Sequence, residues 1–146
     1  MKQINQKAPV ICKRSVTIGA PREKVWERLS NINEWPHWQT DISKSEIKGP
    51  AVSGSEFTWK SGGANIRSVL HTATPSKYFG WTGSSMGVFA IHNWVLSEKD
   101  GHTKVMVEES MEGWLAIVFS GFFNKSLETG MERWLKYLKV KCESPI

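Results

Sequence analysis

The sequence predicts an α+β domain in which a curved antiparallel sheet of seven strands wraps around one long C-terminal helix. Two observations lead to this fold class. A strand and a short apolar helix open the chain, and further extended segments separated by turns follow them. The hydrophobic period then changes from two residues to about 3.6 residues for the rest of the chain. This order places a long helix against a sheet and leaves room for a cavity between them.

The first strand and two short helices are indicated near the start of the chain. Apolar and polar side chains alternate over residues 10–18, which is typical of a half-buried strand. Pro21 then suits the first position of a helix, and Glu23 places an acidic side chain in its first turn. Residues 25–29 offer apolar side chains one and four positions apart, and a Trp-Pro-His-Trp segment follows at 35–38. We therefore expect two short helices before the second strand.

Six further extended segments follow, separated by turn residues. Phe57 and Trp59 share one face of the second segment, while Glu56 and Lys60 alternate with them. The segments span residues 42–47, 56–60, 65–74, 78–82, 89–98 and 103–111. Glycine-rich residues 83–87 lie between two strands with no helix after them, so they predict a mobile loop at the cavity mouth rather than a phosphate site.

The Asp100-Gly101 dipeptide predicts a two-residue turn between the last two strands. The turn fixes the cross-strand partners, because every pair is counted outward from it. The predicted pairs are Lys99 with His102, Leu96 with Val105, Trp94 with Val107, and His92 with Glu109. The last three pairs share the covered face of the sheet, whereas Lys104 and Glu108 lie on the other face, in solvent. His92 and Glu109 are therefore predicted to contact each other on the covered face.

The segment that begins at Trp114 has the period of a long amphipathic helix. Its apolar side chains recur every three or four residues, and charged side chains fill the opposite face. The apolar stripe consists of Phe119, Phe122, Phe123, Leu127, Met131, Trp134, Leu135, Leu138 and Cys142. Gly121 and Gly130 interrupt it at a cost of about 1 kcal/mol each. Since the chain contains no linker or repeat, residues 1–146 are expected to form a single domain.

Charge and cysteine content argue against several classes of protein. The net charge is +5, but the lysines and arginines gather at the two ends of the chain instead of forming a stripe with exposed aromatics, so no nucleic-acid partner is expected. Cys12 and Cys142 form no metal-binding or disulfide pattern, so we expect no metal, no cofactor and a cytoplasmic location. The N-terminus lacks an apolar signal core, and no apolar run reaches membrane-spanning length.

Three stretches of the sequence resemble the START-like, or SRPBCC, superfamily. They are residues 20–38, the His-Asn-Trp-x-Leu stretch at 92–96, and residues 103–113. The resemblance covers about residues 10–142 and extends to polyketide cyclase/dehydrase-like proteins, lipid-transfer domains, coenzyme Q-binding proteins and plant pathogenesis-related allergens. It implies the helix-grip fold, with two short helices after the first strand. Because carriers, receptors and enzymes share this scaffold, the resemblance implies no single activity.

The resemblance also implies a large, mostly apolar cavity between the sheet and the last helix. The eight tryptophans suit either the wall of such a cavity or an aromatic core. The expected partner is a small hydrophobic molecule (a lipid, a polyketide or an aromatic metabolite), and the expected oligomeric state is a monomer or homodimer. The predicted lining is Phe57, Trp59, Trp81, His92, Trp94, Val107 and Glu109 from the sheet, with Phe123, Leu127 and Met131 from the helix.

His92 and Glu109 leave three roles open, since an imidazole opposite a carboxylate occurs in each of them. The pair binds a ligand carbonyl or hydroxyl, acts as an acid/base dyad, or is a structural polar pair. The corresponding functions are binding or transport of a small hydrophobic ligand, and, as an alternative, a polyketide cyclase or dehydratase. A protein-interaction module similar to an Hsp90 activator is a second alternative. Elsewhere, His71 shares a face with Arg67 and is expected in solvent.

Overall fold

The computed structural model describes residues 1–145 and has the predicted α+β architecture. The strands are β1 (Val10–Ile18), β2 (Ile42–Ile47), β3 (Glu56–Ser61), β4 (Ala64–Thr74), β5 (Tyr78–Ser85), β6 (Val88–Lys99) and β7 (His102–Glu112). The helices are α1 (Arg22–Ser30), α2 (Trp35–Trp38), α3 (Trp114–Val118) and α4 (Ser120–Glu143), with a 3-10 turn at Ile32–Glu34 between α1 and α2. The two short helices after the first strand and the long C-terminal helix are therefore confirmed.

All seven strands form one antiparallel sheet in the order β1-β7-β6-β5-β4-β3-β2. The register of β6 on β7 is the one that the Asp-Gly turn predicts, and it brings His92 opposite Glu109. Asp100 and Gly101 have φ angles of 53° and 78°, as a type I′ turn requires at both central positions. The local turn chemistry thus determines which side chains meet on the inner face of the sheet, the face that α4 covers.

Both edge strands of the sheet make contacts with other parts of the chain. Helix α4 packs along β1, and Lys139 Nζ donates a hydrogen bond to the Thr17 carbonyl at 2.7 Å. At the other edge, the Asn33 side chain pairs with the backbone of β2 at Ile47. Its Nδ2 donates to the Ile47 carbonyl at 3.2 Å, and its Oδ1 accepts from the Ile47 N–H at 2.8 Å. Side chains from other parts of the chain thus make hydrogen bonds with backbone groups on both edge strands.

The C-terminal part of α4 supplies the helical side of the core. Leu127, Met131, Trp134, Leu135, Leu138 and Cys142 are buried there, as the stripe predicts. Phe119 and Phe122 are not: their side chains are 53% and 68% exposed. The backbone of Phe119 leaves the helical conformation (φ −114°, ψ 38°), so the chain bends there and the stripe loses its phase. Among residues 1–145, no helix is both long and apolar enough to cross a bilayer.

The segment before β1 lies on the outer face of the sheet, on the same side as His71. Asn5 Nδ2 donates to Glu112 at 2.8 Å, and Asn93 Nδ2 donates to the Lys2 carbonyl at 2.7 Å. His71 lies against Gly80, where an added Cβ would come within 2.3 Å of its ring. The expectation that His71 lies free in solvent is therefore wrong, because its ring packs on Gly80 of the neighbouring strand and is partly buried.

Burial lowers the pKa of His71, with a smaller opposing contribution from Asn93. The folded state therefore binds fewer protons than the unfolded chain, in which a histidine titrates near 6.5. This contribution to the free energy of unfolding is present in full above the pKa of His71 in the unfolded chain. It is lost as the pH falls through that pKa toward the lower pKa of the folded state. We expect His71→Gln to lose less unfolding free energy than the wild type between pH 7 and pH 5.5, measured by urea denaturation. His102→Gln, at an exposed turn, is the control and should follow the wild type.

Candidate functional site

The ten predicted lining residues all lie in the region between the sheet and α4. Six of them belong to the buried core, and Trp59 and Phe123 pack against it while partly exposed. His92 and Glu109 are buried polar residues, with exposures of 3% and 7%. The structure thus brings the predicted set together, and a ligand-binding role for these side chains stays a prediction.

An aromatic cluster fills one part of this interior. Trp35 lies at its centre and is fully buried. Its ring centroid is 5.6 Å from Phe57, 5.4 Å from Trp81 and 5.2 Å from Trp134, mostly in edge-to-face contacts. Trp134 also contacts Trp94, at 5.6 Å. Rings at these separations are in van der Waals contact, so this part of the interior is a packed core.

Sequence reasoning left Trp35 and Trp134 out of the predicted lining. The apolar stripe of the helix includes Trp134, and its helical spacing from Leu127 and Met131 places it on the same face. Trp35 gave no such signal, because the short helix that carries it offers no period long enough to assign a face. Its burial depends on the indole N–H, which donates to the Leu29 carbonyl at 2.9 Å.

A second part of the interior is lined by small side chains, and we call it the small-residue end. Ser68, Gly83 and Ala90 are cross-strand neighbours on the inner face, next to the Trp81–His92 pair. A Cβ on Gly83 would come within 3.2 Å of Ser68 Oγ, which itself accepts a hydrogen bond from Trp59 Nε1 at 3.0 Å. Ala90 and Trp59 are only partly buried although they face inward, so solvent reaches this end.

The glycine-rich residues at this end are mostly strand rather than loop. Gly83 belongs to β5, which continues to Ser85, so only Met86 and Gly87 form the turn into β6. The predicted mobile loop over residues 83–87 is therefore wrong for its first three residues. These residues alternate faces within a regular ladder, and this pairing is what places Gly83 on the inner face.

His92 and Glu109 form a hydrogen-bonded pair within the aromatic interior. His92 Nδ1 contacts Glu109 Oε1, as the hairpin register predicts. The imidazole stacks on Trp81, with ring centroids 4.4 Å apart and planes 7° apart. His92 Nε2 is buried and has no hydrogen-bond partner among residues 1–145, and the same holds for Trp94 Nε1. The pair therefore presents one unpaired imidazole nitrogen to the interior.

The carboxylate determines which nitrogen of the imidazole carries the proton. A carboxylate is an acceptor, so the His92 Nδ1–H donates to Glu109. In the neutral imidazole the other nitrogen, Nε2, is then a hydrogen-bond acceptor, whereas the Trp94 indole N–H is a donor. His92 and Trp94 are neighbours, with ring centroids 5.4 Å apart. The site thus combines an acceptor and a donor in an otherwise apolar environment.

A second concave region lies outside this interior. A groove of about 840 Å³ runs over the outer face of the sheet, and charged side chains such as Glu46, Lys48 and Arg67 contribute to its lining. It differs in place and in polarity from the predicted cavity. Among the described residues, no three histidine, cysteine or acidic side chains gather in a way that could hold a metal ion.

Comparison with solved structures shows that this fold is shared widely. A hypothetical protein of Helicobacter pylori, jhp0584, superposes with a TM-score of 0.84 at 15% identity, with 98% of each chain covered. A START superfamily protein of Mycobacterium smegmatis gives 0.77 at 14% identity, covering 91% of this chain and 97% of the other. The Zhui aromatase/cyclase of a Streptomyces species gives 0.76 at 15% identity, covering 91% and 93%. At these identities the likeness is one of fold.

The family follows from the sequence comparison. No curated protein matches the chain. A family model described as polyketide cyclase/dehydrase and lipid transport matches residues 10–143, which include all seven strands and α4. The chain therefore belongs to the polyketide cyclase/dehydrase and lipid-transport family, and it shares its fold with a START superfamily protein.

Proposed function

We propose that this protein binds a small hydrophobic molecule that carries a hydroxyl or carbonyl group, in the interior between the sheet and α4. One observation carries the proposal: His92 Nε2 is buried among aromatic rings and has no partner among residues 1–145. A buried polar atom without a partner costs about 1–3 kcal/mol. A ligand that pairs with this nitrogen removes that cost, so the site favours a ligand with a polar group at this point.

The small-residue end is where the apolar part of the ligand would lie. Ser68, Gly83 and Ala90 have small side chains on the inner face, and Phe123 on the helix is only partly buried. Small-molecule sites are typically apolar with a few convergent polar groups. The small-residue end, followed by the His92–Glu109 pair, has this composition.

A hydroxyl group suits the polar atoms of the site best. It donates a hydrogen bond to His92 Nε2 and accepts one from the Trp94 indole N–H, so both unpaired atoms are satisfied. A carbonyl group pairs with Trp94 alone while the imidazole is neutral. We therefore expect phenols and alcohols to bind more tightly than ketones of the same size.

The family description favours a second candidate, a cyclase or dehydratase. The observation behind it is the orientation of His92 by Glu109, because a carboxylate that fixes the tautomer of an imidazole prepares the other nitrogen as a general base. In such a reaction Nε2 would accept a proton from a carbon between two carbonyl groups. That carbon would attack a third carbonyl, and the proton would return to the resulting oxygen. Loss of one water then gives the unsaturated ring.

Displacement of a fluorescent probe tests the binding proposal. We expect 1-anilinonaphthalene-8-sulfonate to bind the wild type and a polyphenol such as quercetin to displace it. His92→Phe/Glu109→Leu removes both polar groups without leaving either one unpaired, so we expect the fold to be preserved. This double variant should bind quercetin about 2- to 100-fold more weakly, the range expected for one buried hydrogen bond.

Lys104→Ala, on the outer face of the sheet, is the matched control and should bind quercetin as the wild type does. Failure of the wild type to bind either compound saturably, or unchanged quercetin affinity in the double variant, would refute the proposal. Incubation with a linear β-polyketone thioester, followed by mass spectrometry, distinguishes the second candidate. Loss of one water that depends on His92 supports the enzyme, and an unchanged substrate supports binding alone.

A further inference from the structure

Large apolar side chains are exposed together at one end of the molecule, and we call them the end patch. Each of them is more than half exposed, which is unusual for side chains of this size. The end patch consists of Met86 (88%), Trp114 (65%), Ile117 (64%), Val118 (63%), Phe119 (53%) and Phe122 (68%). None of these residues belongs to the interior site described above.

Backbone contacts make the end patch one continuous surface. The Leu115 N–H in α3 donates to the Gly87 carbonyl in the β5–β6 turn at 3.2 Å. A Cβ on Gly87 would come within 3.0 Å of the Trp114 ring, so the turn and α3 are in direct contact. The Phe119 N–H in turn donates to the Leu115 carbonyl at 3.0 Å and joins α3 to α4.

The end patch itself is uncharged. Residues 113–124 contain no charged side chain. Glu112, which precedes them, accepts a hydrogen bond from Asn5, and Lys125 follows them directly. The neighbouring β3–β4 hairpin carries Lys60 and Arg67, and Ser85 Oγ ties it to the β5–β6 turn through a 2.9 Å hydrogen bond to the Asn65 carbonyl. The chain as a whole carries a net charge of +5.

We infer that the end patch docks on a lipid bilayer with anionic headgroups. Helix α3 (Trp-Leu-Ala-Ile-Val) has no side-chain hydrogen-bonding group except the Trp114 indole N–H. A protein partner would need polar contacts, since interfaces between proteins carry about one hydrogen bond per 100–200 Å². A bilayer needs none, and the tryptophan indole is favoured at its headgroup level. The basic side chains around the patch complement anionic lipid. This inference concerns the outer surface and is independent of the proposed ligand site.

Vesicle co-sedimentation of the 146-residue chain tests the inference. We expect the wild type to sediment with vesicles of phosphatidylcholine and phosphatidylglycerol, more weakly with phosphatidylcholine alone, and less as salt rises. Phe122→Glu should reduce the partition coefficient by about tenfold or more, because an apolar ring that inserts is replaced by a carboxylate near anionic lipid. Quenching of tryptophan fluorescence by brominated lipid should be smaller in Trp114→Phe than in the wild type.

Val140→Glu is the matched control, since Val140 is also an exposed apolar residue of α4 (63%), lies far from the patch, and gives the same change in charge. It should sediment as the wild type does. The inference is overturned if the wild type binds neither kind of vesicle, or if Phe122→Glu and Val140→Glu lower binding equally. It is also overturned if the wild type is a dimer in solution that Phe122→Glu converts to a monomer without any binding to vesicles, because the occupant is then a second copy of the chain.

Discussion

Replacement of Trp35 by alanine is expected to lower the free energy of unfolding by about 3–5 kcal/mol, the range measured for large aromatic residues in protein cores. Trp35 is fully buried, and its ring contacts Phe57, Trp81 and Trp134 among others. The change leaves a void that these rings cannot fill without leaving their edge-to-face contacts. It also removes the indole N–H that the Leu29 carbonyl accepts. Urea denaturation followed by far-ultraviolet circular dichroism measures the loss.

Trp114→Ala is the control for this experiment, since Trp114 is 65% exposed. Because most of its surface already faces water, its replacement should cost much less than that of Trp35. A loss below about 1 kcal/mol in Trp35→Ala would contradict the packed aromatic cluster. It would show instead that the rings border open space, as the wall of a large cavity does.

Replacement of His92 by leucine is expected to cost about 3–5 kcal/mol, because the Glu109 carboxylate then lies buried without its partner. Replacing both residues by leucine removes the buried charge as well. Substitution of a whole buried pair by apolar side chains often leaves the free energy of unfolding nearly unchanged. We therefore expect the double variant to be more stable than His92→Leu. Urea denaturation of the wild type, both single variants and the double variant gives the coupling energy between the two side chains.

The structure predicts that this coupling energy differs from zero. Two side chains in contact should show an interaction energy of about 0.5–3 kcal/mol, and two side chains on opposite faces should show none. Additive losses would therefore contradict the hydrogen bond between His92 and Glu109 and the hairpin register that produces it.

The fold could be predicted from the sequence because its signals are local. The Asp100-Gly101 turn determines the β6–β7 register through its own backbone geometry, and alternation then assigns every pair to a face. The stripe from Leu127 to Cys142 has a helical period that is independent of what it packs against. These two signals were enough to place His92, Glu109 and the buried side of α4.

Predictions about exposure were less successful, because exposure depends on contacts between distant segments. The ring of His71 packs on Gly80 of the neighbouring strand, and nothing in the local sequence signals this contact. Phe119 and Phe122 fit the apolar stripe by spacing, yet a bend at Phe119 turns them to solvent. The filling of the interior by Trp35 follows from packing in three dimensions, which spacing along the chain does not encode.

The groups that occupy backbone positions on the two edge strands restrict how this protein can associate. An edge strand with free backbone groups recruits further strands, from a second copy or from an extended peptide, and this is a common route to aggregation. Here α4 lies along β1, and the Asn33 side chain occupies the N–H and carbonyl of Ile47 on β2. A partner strand that pairs with β1, or with β2 at Ile47, would first have to displace these groups. Strand addition at these positions therefore competes with contacts that the fold already makes.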